Sequence, residues 1–164
     1  MSPPPAVGIL VGSESDLDVM ARTTATLDEL GVAYELQVAS AHRQPELVAE
    51  YARGAAGRGL QVIICGAGLA AHLAGAVAAA TDLPVIGVPL AGGVGNGLDA
   101  LLSTVQMPSG IPVATVAVGK PGAVNAAVLA ARIIALADAE VRSRLAAYRR
   151  RWAEAKPAGE GPRG

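Results

Sequence analysis

Short aliphatic runs alternate along the chain with longer stretches in which apolar residues recur at helical spacing. The runs predict five strands, at residues 7–11, 34–38, 62–65, 84–88 and 112–118. Most of them are apolar almost throughout, which is typical of parallel strands covered on both faces of a sheet. The pattern therefore favours a buried parallel sheet.

The stretches between and after the strands predict six helices, at residues 16–30, 45–57, 69–80, 98–106, 122–137 and 139–155. Gly31 suits the position after a helix, and Pro45 suits a first helical turn. Strands that alternate with helices predict an α/β fold. We expect a three-layer αβα domain with a five-stranded parallel sheet in the flavodoxin-like order 2-1-3-4-5, plus a C-terminal helix.

A single domain is expected over residues 6–155, between a disordered N-terminus at 1–5 and a flexible tail at 156–164. The first residues, MSPPPA, lack the basic start and apolar middle of a signal peptide. Polar residues and prolines interrupt the apolar stretch from Ala67 to Gly95, which therefore predicts a helix, a turn and a buried strand. We expect a cytoplasmic protein with no membrane contact.

Composition narrows the classes of function. The chain has no Phe, and its aromatic residues are Tyr34, Tyr51, Tyr148 and Trp152. Because a core of small aliphatic side chains buries little apolar area per residue, we expect further burial through self-association. A net charge of −1, with a basic cluster confined to the last helix, indicates no nucleic-acid partner. The single cysteine, Cys65, excludes an internal disulfide and is interpreted as inert core.

Polar or glycine-rich segments follow the predicted strands, in the order GSESD, SAHR, GAGLAAH, PLAGGVGNG and GKPGAVN. The carboxyl ends of parallel strands meet at one edge of a sheet, where ligands bind. In GSESD, the Ser13 and Ser15 hydroxyls and the backbone N–H groups of a helix start can bind a phosphate, and Asp16 can accept from sugar hydroxyls. Simple helix capping by these residues is an alternative that is compatible with binding.

The two histidines of the chain receive different interpretations. His42 lies in a turn at the ligand edge, beside the fixed positive charge of Arg43, and an imidazole there can accept and return a proton. A purely structural role for His42 stays open. His72 falls within an alanine-rich predicted helix and is interpreted as a structural histidine.

Other chemistries fit less well. GAGLAA matches the G-x-G-x-x-A pattern of dinucleotide sites, but it follows the third strand and no acidic residue ends the next one. A phospho-receiver would need an aspartate where Cys65 stands. Two histidines about 30 residues apart and one cysteine make a poor metal ligand set. We expect neither a metal nor a cofactor.

Taken together, the motifs resemble the PurE family of N5-carboxyaminoimidazole ribonucleotide mutases, of the bacterial type called class I. The resemblance spans about residues 6–152 and is carried by VGILVGSESDLDVM, SAHRQPE, VIICGAGLAAHLAG, PVIGVPL and NGLDALLSTVQMPSGIPVATVAVGKPGAVNAAVLAARIIAL. It implies a cofactor-free isomerase of de novo purine biosynthesis. Such an enzyme moves a carboxyl group from the exocyclic nitrogen of an aminoimidazole ribonucleotide to ring carbon C4, by loss and recapture of CO2.

The resemblance also implies residue roles. His42 matches the general acid/base of the family. Arg43 and Ser13 match residues that contact the phosphate of the substrate, and Asp16 matches one that contacts the ribose. Further contributors by motif position are Ser15 and Ser40 at the phosphate and the backbone amides of Ala67 and Gly68 at the migrating carboxylate.

Members of the family form homo-octamers with shared active sites, and a transient contact with the synthetase that makes the carbamate is expected. A related branch carboxylates aminoimidazole ribonucleotide directly with CO2. The loop of that branch reads SAHK, so Arg43 favours the mutase. A non-catalytic nucleotide-binding module is the other alternative. Leu69 and Ala74 replace the usual Gly and Pro, and the AGGVGNG loop is unusually rich in glycine. We expect the third helix to begin at Leu69 with a negative φ.

Overall fold

A computed structural model describes residues 4–154 of the chain. The predicted flexible tail at 156–164 lies outside this range, as do the first three residues of the predicted N-terminal segment. Pro4 and Pro5, which are described, belong to no helix or strand. No helix in the described range is long and apolar enough to cross a membrane.

Strands and helices alternate through residues 4–154. The strands are β1 (Val7–Val11), β2 (Tyr34–Val38), β3 (Val62–Ala67), β4 (Val85–Pro89) and β5 (Ala114–Thr115). The helices are α1 (Leu17–Leu30), α2 (Pro45–Gly54), α3 (Leu73–Ala78), α4 (Leu98–Val105), α5 (Lys120–Ile134) and α6 (Ala139–Glu154).

The strands form one parallel sheet in the order β2-β1-β3-β4-β5. The predicted flavodoxin-like fold is therefore confirmed. Val11, the last residue of β1, pairs with Val38 of β2 on one side and Gly66 of β3 on the other. This register ends β1, β2 and β3 at about one level, so the loops that follow them begin side by side.

Each face of the sheet has its own apolar core. Val7, Ile9 and Val11 of β1 pack with α1, α5 and α6 on one face, while Leu10 packs with α2 and α3 on the other. Fully buried alanines on α5 let that helix lie close to α1, where the Thr23 hydroxyl donates to the Ala123 carbonyl at 2.8 Å. The small side chains noted in the sequence thus serve close helix packing.

Glycine is required where an aromatic residue meets the sheet. Gly8 lies under Tyr51 of α2, and a Cβ there would overlap the Tyr51 hydroxyl. The close approach of α2 to β1 therefore depends on the missing side chain.

Two predicted elements are at most half as long in the structure as predicted. The strand expected at 112–118 contains only Ala114 and Thr115. It lies at the sheet edge, Pro112 has no N–H to donate, and beyond the strand a bond from the Val116 N–H to the Gly87 carbonyl, at 3.0 Å, continues the contact. The helix expected at 69–80 spans only Leu73–Ala78, for a reason found in the preceding loop.

Candidate active site

A pocket of about 550 Å³ opens at the carboxyl edge of the sheet, where the loops after β1, β2, β3 and β4 converge. All of the predicted site residues line it: Ser13, Ser15, Asp16, Ser40, His42, Arg43, Ala67 and Gly68. Lining residues that the prediction had not assigned to the site include Leu69, His72 and Gly92. The segment GKPGAVN after β5 was also expected at this edge, but most of it belongs to α5, and its Pro121 and Asn125 line a separate groove.

The loop after β1 presents a serine hydroxyl that can still donate. Ser13 has an extended backbone and precedes the 3-10 turn Glu14–Asp16. Its Oγ accepts from the Ser15 N–H at 3.4 Å and from the Ser15 hydroxyl at 3.0 Å. Because Ser13 Oγ is the acceptor in both contacts, its own proton remains available to an anion. Capping and anion binding are thus compatible at this residue.

Asp16 stands immediately before α1 but does not cap it with its side chain. Partial burial raises the pKa of the Asp16 carboxyl above its ordinary value, and a hydrogen bond from the Ser13 backbone opposes that shift. A carboxylate that is desolvated and unused by the helix is suited to accept from ligand hydroxyl groups.

The loop after β2 is a closed turn built on Ser40. The Gln44 N–H donates to the Ser40 carbonyl at 2.8 Å, and the Arg43 N–H donates to Ser40 Oγ at 3.3 Å. The turn holds the side chains of His42 and Arg43 at the exposed surface of the pocket. Ser40 therefore has a structural role besides the predicted contact with ligand.

Arg43 occupies the boundary between two adjoining pockets. The second pocket, of about 430 Å³, shares Gly12, Ser13, Ser40 and Arg43 with the first. No carboxylate of residues 4–154 lies within ion-pair distance of the Arg43 guanidinium. A guanidinium that has no counter-ion among the described residues, and that shares its pockets with two serine hydroxyls, is suited to bind a phosphate.

The loop after β3 overturns the expectation about Leu69. Leu69 has φ 55°, in the left-handed region, instead of the negative φ of a helix start. Two tight turns follow, in which the Ala71 N–H donates to the Leu69 carbonyl at 2.9 Å and the His72 N–H donates to the Ala70 carbonyl at 2.8 Å. Helical bonding cannot pass through this segment, so α3 begins only at Leu73.

The same loop exposes a run of backbone donors. Among the described residues, no acceptor contacts the N–H groups of Gly68, Leu69 and Ala70. Ala67, which was predicted to contribute an amide, is the last residue of β3, and its carbonyl accepts from the Leu90 N–H at 2.9 Å. Consecutive N–H groups without acceptors form a concavity that suits an anion.

His72 is a site residue that the sequence analysis missed. It lies just before α3, exposed in the pocket, and not inside a helix. Its Nδ1 lies 2.8 Å from Nε2 of His42, and the two rings meet edge to face with their centroids 4.9 Å apart. The prediction that His72 lies inside a helix was wrong.

Within residues 4–154, no group of three or more His, Cys, Asp and Glu side chains could hold a metal ion. Cys65 is buried, and burial raises the pKa of its thiol, as expected of an inert core cysteine. The reactive groups of the pocket are thus the imidazoles, the guanidinium, the carboxylate and the hydroxyls.

The fold and the site define an enzyme of the flavodoxin-like α/β class with a polar pocket at the strand ends. The AIR carboxylase family matches residues 6–155, and the chain belongs to that family. The predicted resemblance to the PurE family is therefore confirmed.

Relatives in several organisms are named N5-carboxyaminoimidazole ribonucleotide mutase. The one from Mycobacterium tuberculosis is 56% identical over 150 residues, which are 92% of this chain and 85% of the relative. The one from Bacillus subtilis is 55% identical over 141 residues, or 86% and 87% of the two chains. The crystal structure of Treponema denticola PurE superimposes with a TM-score of 0.81 at 31% identity, covering 92% of each chain.

Proposed function

We propose that this chain is a mutase that converts N5-carboxyaminoimidazole ribonucleotide to 4-carboxyaminoimidazole ribonucleotide in de novo purine biosynthesis. It acts as a single domain, in the cytoplasm, on a small phosphorylated substrate. One observation carries the proposal: a guanidinium, serine hydroxyls, a carboxylate and imidazoles from the first three loops line one pocket. Relatives that are 52–56% identical bear the name of this activity.

The ribonucleotide would be held at its charged end. Arg43 and Ser13, which line both adjoining pockets, would bind the phosphate, with Ser15 and Ser40 beside them. The Asp16 carboxylate would accept hydrogen bonds from the ribose hydroxyls. These bonds would replace the hydrogen bonds to water that the carboxylate loses through its partial burial. The heterocycle would then lie over the His42 turn.

His42 would act as the general acid and base. Protonated His42 gives its proton to the exocyclic nitrogen as the bond between that nitrogen and the carboxyl carbon breaks, which releases CO2 and aminoimidazole ribonucleotide. Ring carbon C4 then attacks the retained CO2. The proton on C4 passes to His42, which restores both the aromatic ring and the protonated imidazole. Protons and carboxyl groups balance, so the reaction needs no co-reactant.

The loop after β3 would hold the migrating group. The N–H groups of Gly68, Leu69 and Ala70, which have no acceptor among the described residues, would stabilise the carboxylate on either side of the reaction. Retention of CO2 close to C4 replaces a bimolecular step with an effectively unimolecular one.

A substrate comparison tests the activity. We expect turnover of N5-carboxyaminoimidazole ribonucleotide without added bicarbonate, and the ¹³C label of its carbamate should appear in the product. Turnover only of aminoimidazole ribonucleotide with bicarbonate would identify a direct carboxylase and contradict the mutase. Tight binding of the ribonucleotide without turnover of either substrate would identify a non-catalytic module.

Self-association is part of the proposal. A groove of about 1020 Å³ between α5 and α6 is lined by Val124, Val128, Leu145 and Trp152, and Trp152 is 66% exposed. A second copy of the chain would cover this surface in a homo-octamer. Light scattering should give the mass of eight chains, whereas a monomer mass would contradict the proposal. We also expect a transient contact with the synthetase that makes the substrate, the carbamate N5-carboxyaminoimidazole ribonucleotide.

A further inference from the structure

The two histidines of the chain form a pair that the proposed reaction does not yet use. His42 Nε2 and His72 Nδ1 are 2.8 Å apart, so one nitrogen carries a hydrogen and the other presents a lone pair. If both rings were protonated, both nitrogens would be donors and the contact could not persist. The paired state therefore holds at most one proton more than two neutral rings.

The backbone around each histidine is held in place by hydrogen bonds within its own loop. The turn that carries His42 is closed on Ser40 by two hydrogen bonds. The backbone N–H of His72 donates to the Ala70 carbonyl at 2.8 Å, and the backbone carbonyl of His72 accepts from the Ala76 N–H at 2.9 Å. The loops after β2 and β3 thus meet across the end of β1, and tertiary structure, not sequence proximity, sets the distance between the rings.

We infer that His72 is a positioning residue for His42: it binds Nε2 of His42, fixes the ring and its tautomer, and leaves Nδ1 of His42 to exchange a proton with substrate. For its effect on rate the inference rests on the proposed function, whereas the pairing is a property of the free protein. To accept a proton at Nδ1, neutral His42 must carry its hydrogen on Nε2. That hydrogen is donated to His72 Nδ1.

The pairing suits the proton cycle. When His42 takes the C4 proton on Nδ1, both of its nitrogens become donors, and the Nε2 bond to His72 then comes from a cation, which strengthens it. Two other charged groups line the pocket: Asp16 from the loop after β1 and Arg43 from the turn that carries His42. The lining residues from the loop after β4, Ala91 and Gly92, contribute no charge.

Nitrogen NMR tests the pairing in the free enzyme. Because the chain contains two histidines, labelling with ¹⁵N-histidine gives four ring-nitrogen signals, which the variants His42→Asn and His72→Asn assign. We expect both neutral rings to carry hydrogen on Nε2, and a coupling across the hydrogen bond between Nε2 of His42 and Nδ1 of His72. Replacement of either histidine should abolish this coupling and change the chemical shift of the bonded nitrogen in the remaining ring. Ring-nitrogen signals that the substitutions leave unchanged would overturn the pairing.

Kinetics test the positioning role. His72→Leu removes the acceptor, while His72→Asn keeps an amide group near the place of Nδ1. We expect the Leu variant to lose about 10- to 100-fold in kcat, the usual effect of removing a partner that orients a histidine. KM should change less than about threefold, and the Asn variant should recover much of kcat. Equal losses in the two variants, or a loss confined to KM, would overturn the role.

The two readouts separate the inference from the proposed function. If His42→Asn leaves the mutase rate unchanged, the acid/base role of His42 fails, while the nitrogen spectra still decide the pairing. If the two rings give independent signals and His42→Asn nevertheless abolishes turnover, the pairing fails and the proposed function stands. Melting curves check that the variants fold; should His72→Leu not fold, the Asn variant and the spectra of the native chain decide the question.

Discussion

The molecule has two concave regions of opposite character. The pocket at the strand ends is the smaller, at about 550 Å³ against about 1020 Å³ for the groove between α5 and α6. Imidazoles, hydroxyls and a guanidinium line the pocket, together with residues whose backbone N–H groups have no acceptor in the described range, and one of its residues, Leu69, is in the left-handed region. The groove is lined by aliphatic side chains, Tyr148 and Trp152, with three arginines and Asn125 among them.

Backbone geometry accounts for the difference. At the end of a parallel strand the chain leaves the sheet, so backbone donors lose their partners and side chains from distant segments can converge. Along a helix face the backbone is fully bonded, so the groove offers side chains alone. Size is therefore a poor guide here: the smaller region can do chemistry, and the larger one can bury apolar surface.

The largest expected effect is the loss of catalysis in His42→Asn. Without the acid/base, the rate should fall by about 10²- to 10⁴-fold, while binding of aminoimidazole ribonucleotide should be largely kept, since other residues hold the phosphate and ribose. Single-turnover kinetics measure the rate and calorimetry measures the binding. An unchanged rate would remove His42 from the reaction.

Arg43→Ala should come next, because it removes the cation proposed for the phosphate. A charge-assisted hydrogen bond contributes about 1.5–3 kcal/mol, so KM should rise roughly 10- to 100-fold and depend less on salt. The control is Arg53→Ala on α2, which removes an exposed arginine that does not line the pocket. The Arg43 variant should discriminate less than the native chain between ligands with and without the phosphate. Equal affinity of the native chain for the two ligands would contradict the assignment.

Trp152→Ser tests the role of the groove between α5 and α6. If the groove is covered by a second copy, loss of this aromatic side chain should raise the dissociation constant of the assembly by about tenfold or more. Leu136→Ser is the control, because Leu136 is 80% exposed and does not line the groove. Sedimentation velocity measures both variants. An unchanged assembly in the Trp152 variant would remove the groove from the interface.

A smaller effect is expected at Leu69. Its positive φ costs about 1–2 kcal/mol, and glycine would relieve this at a backbone-entropy cost of about 0.5–1 kcal/mol. Because Leu69 is 62% exposed, little burial is lost. Leu69→Gly should therefore raise the free energy of unfolding by about 0.5–1 kcal/mol. Ala70→Gly, at a residue without a positive φ, should lower it in urea titrations. A destabilised Leu69→Gly variant would contradict the strain.

The smallest effect concerns Asp16 and pH. Burial raises the pKa of this carboxyl in the folded chain, so the folded state binds the proton more readily than the unfolded one. The ionised carboxylate therefore disfavours folding, and this disadvantage disappears as pH falls below the ordinary value of about 4. Asp16→Asn should be more stable than the native chain at pH 7, by a margin that shrinks towards pH 4. A margin that does not change with pH would contradict the shift.

Much of the fold and of the site could be predicted from sequence because each depends on local signals. Apolar strand runs and the turn residues between them set the sheet, and the polar segments at strand ends contained Ser13, Asp16, His42 and Arg43. The parallel pairing of β1 with β2 and β3 then places those segments side by side at one edge of the sheet.

The loop after β3 could not be predicted in the same way. The segment from Leu69 to Leu73 consists of helix-forming residues, so local propensity predicts a helix. The exit from β3 imposes two tight turns instead, and these move His72 out of the helix and into the pocket. The short β5 has a different cause: it lies at the sheet edge, and Pro112 has no N–H to extend its ladder.

A crystal structure with aminoimidazole ribonucleotide tests the central claim most directly. We predict the phosphate at Ser13 and the Arg43 guanidinium, the ribose at Asp16, and ring carbon C4 facing Nδ1 of His42 while Nε2 keeps its contact with His72. A heterocycle bound away from the His42 turn, or a phosphate that leaves Arg43 in water, would contradict the account.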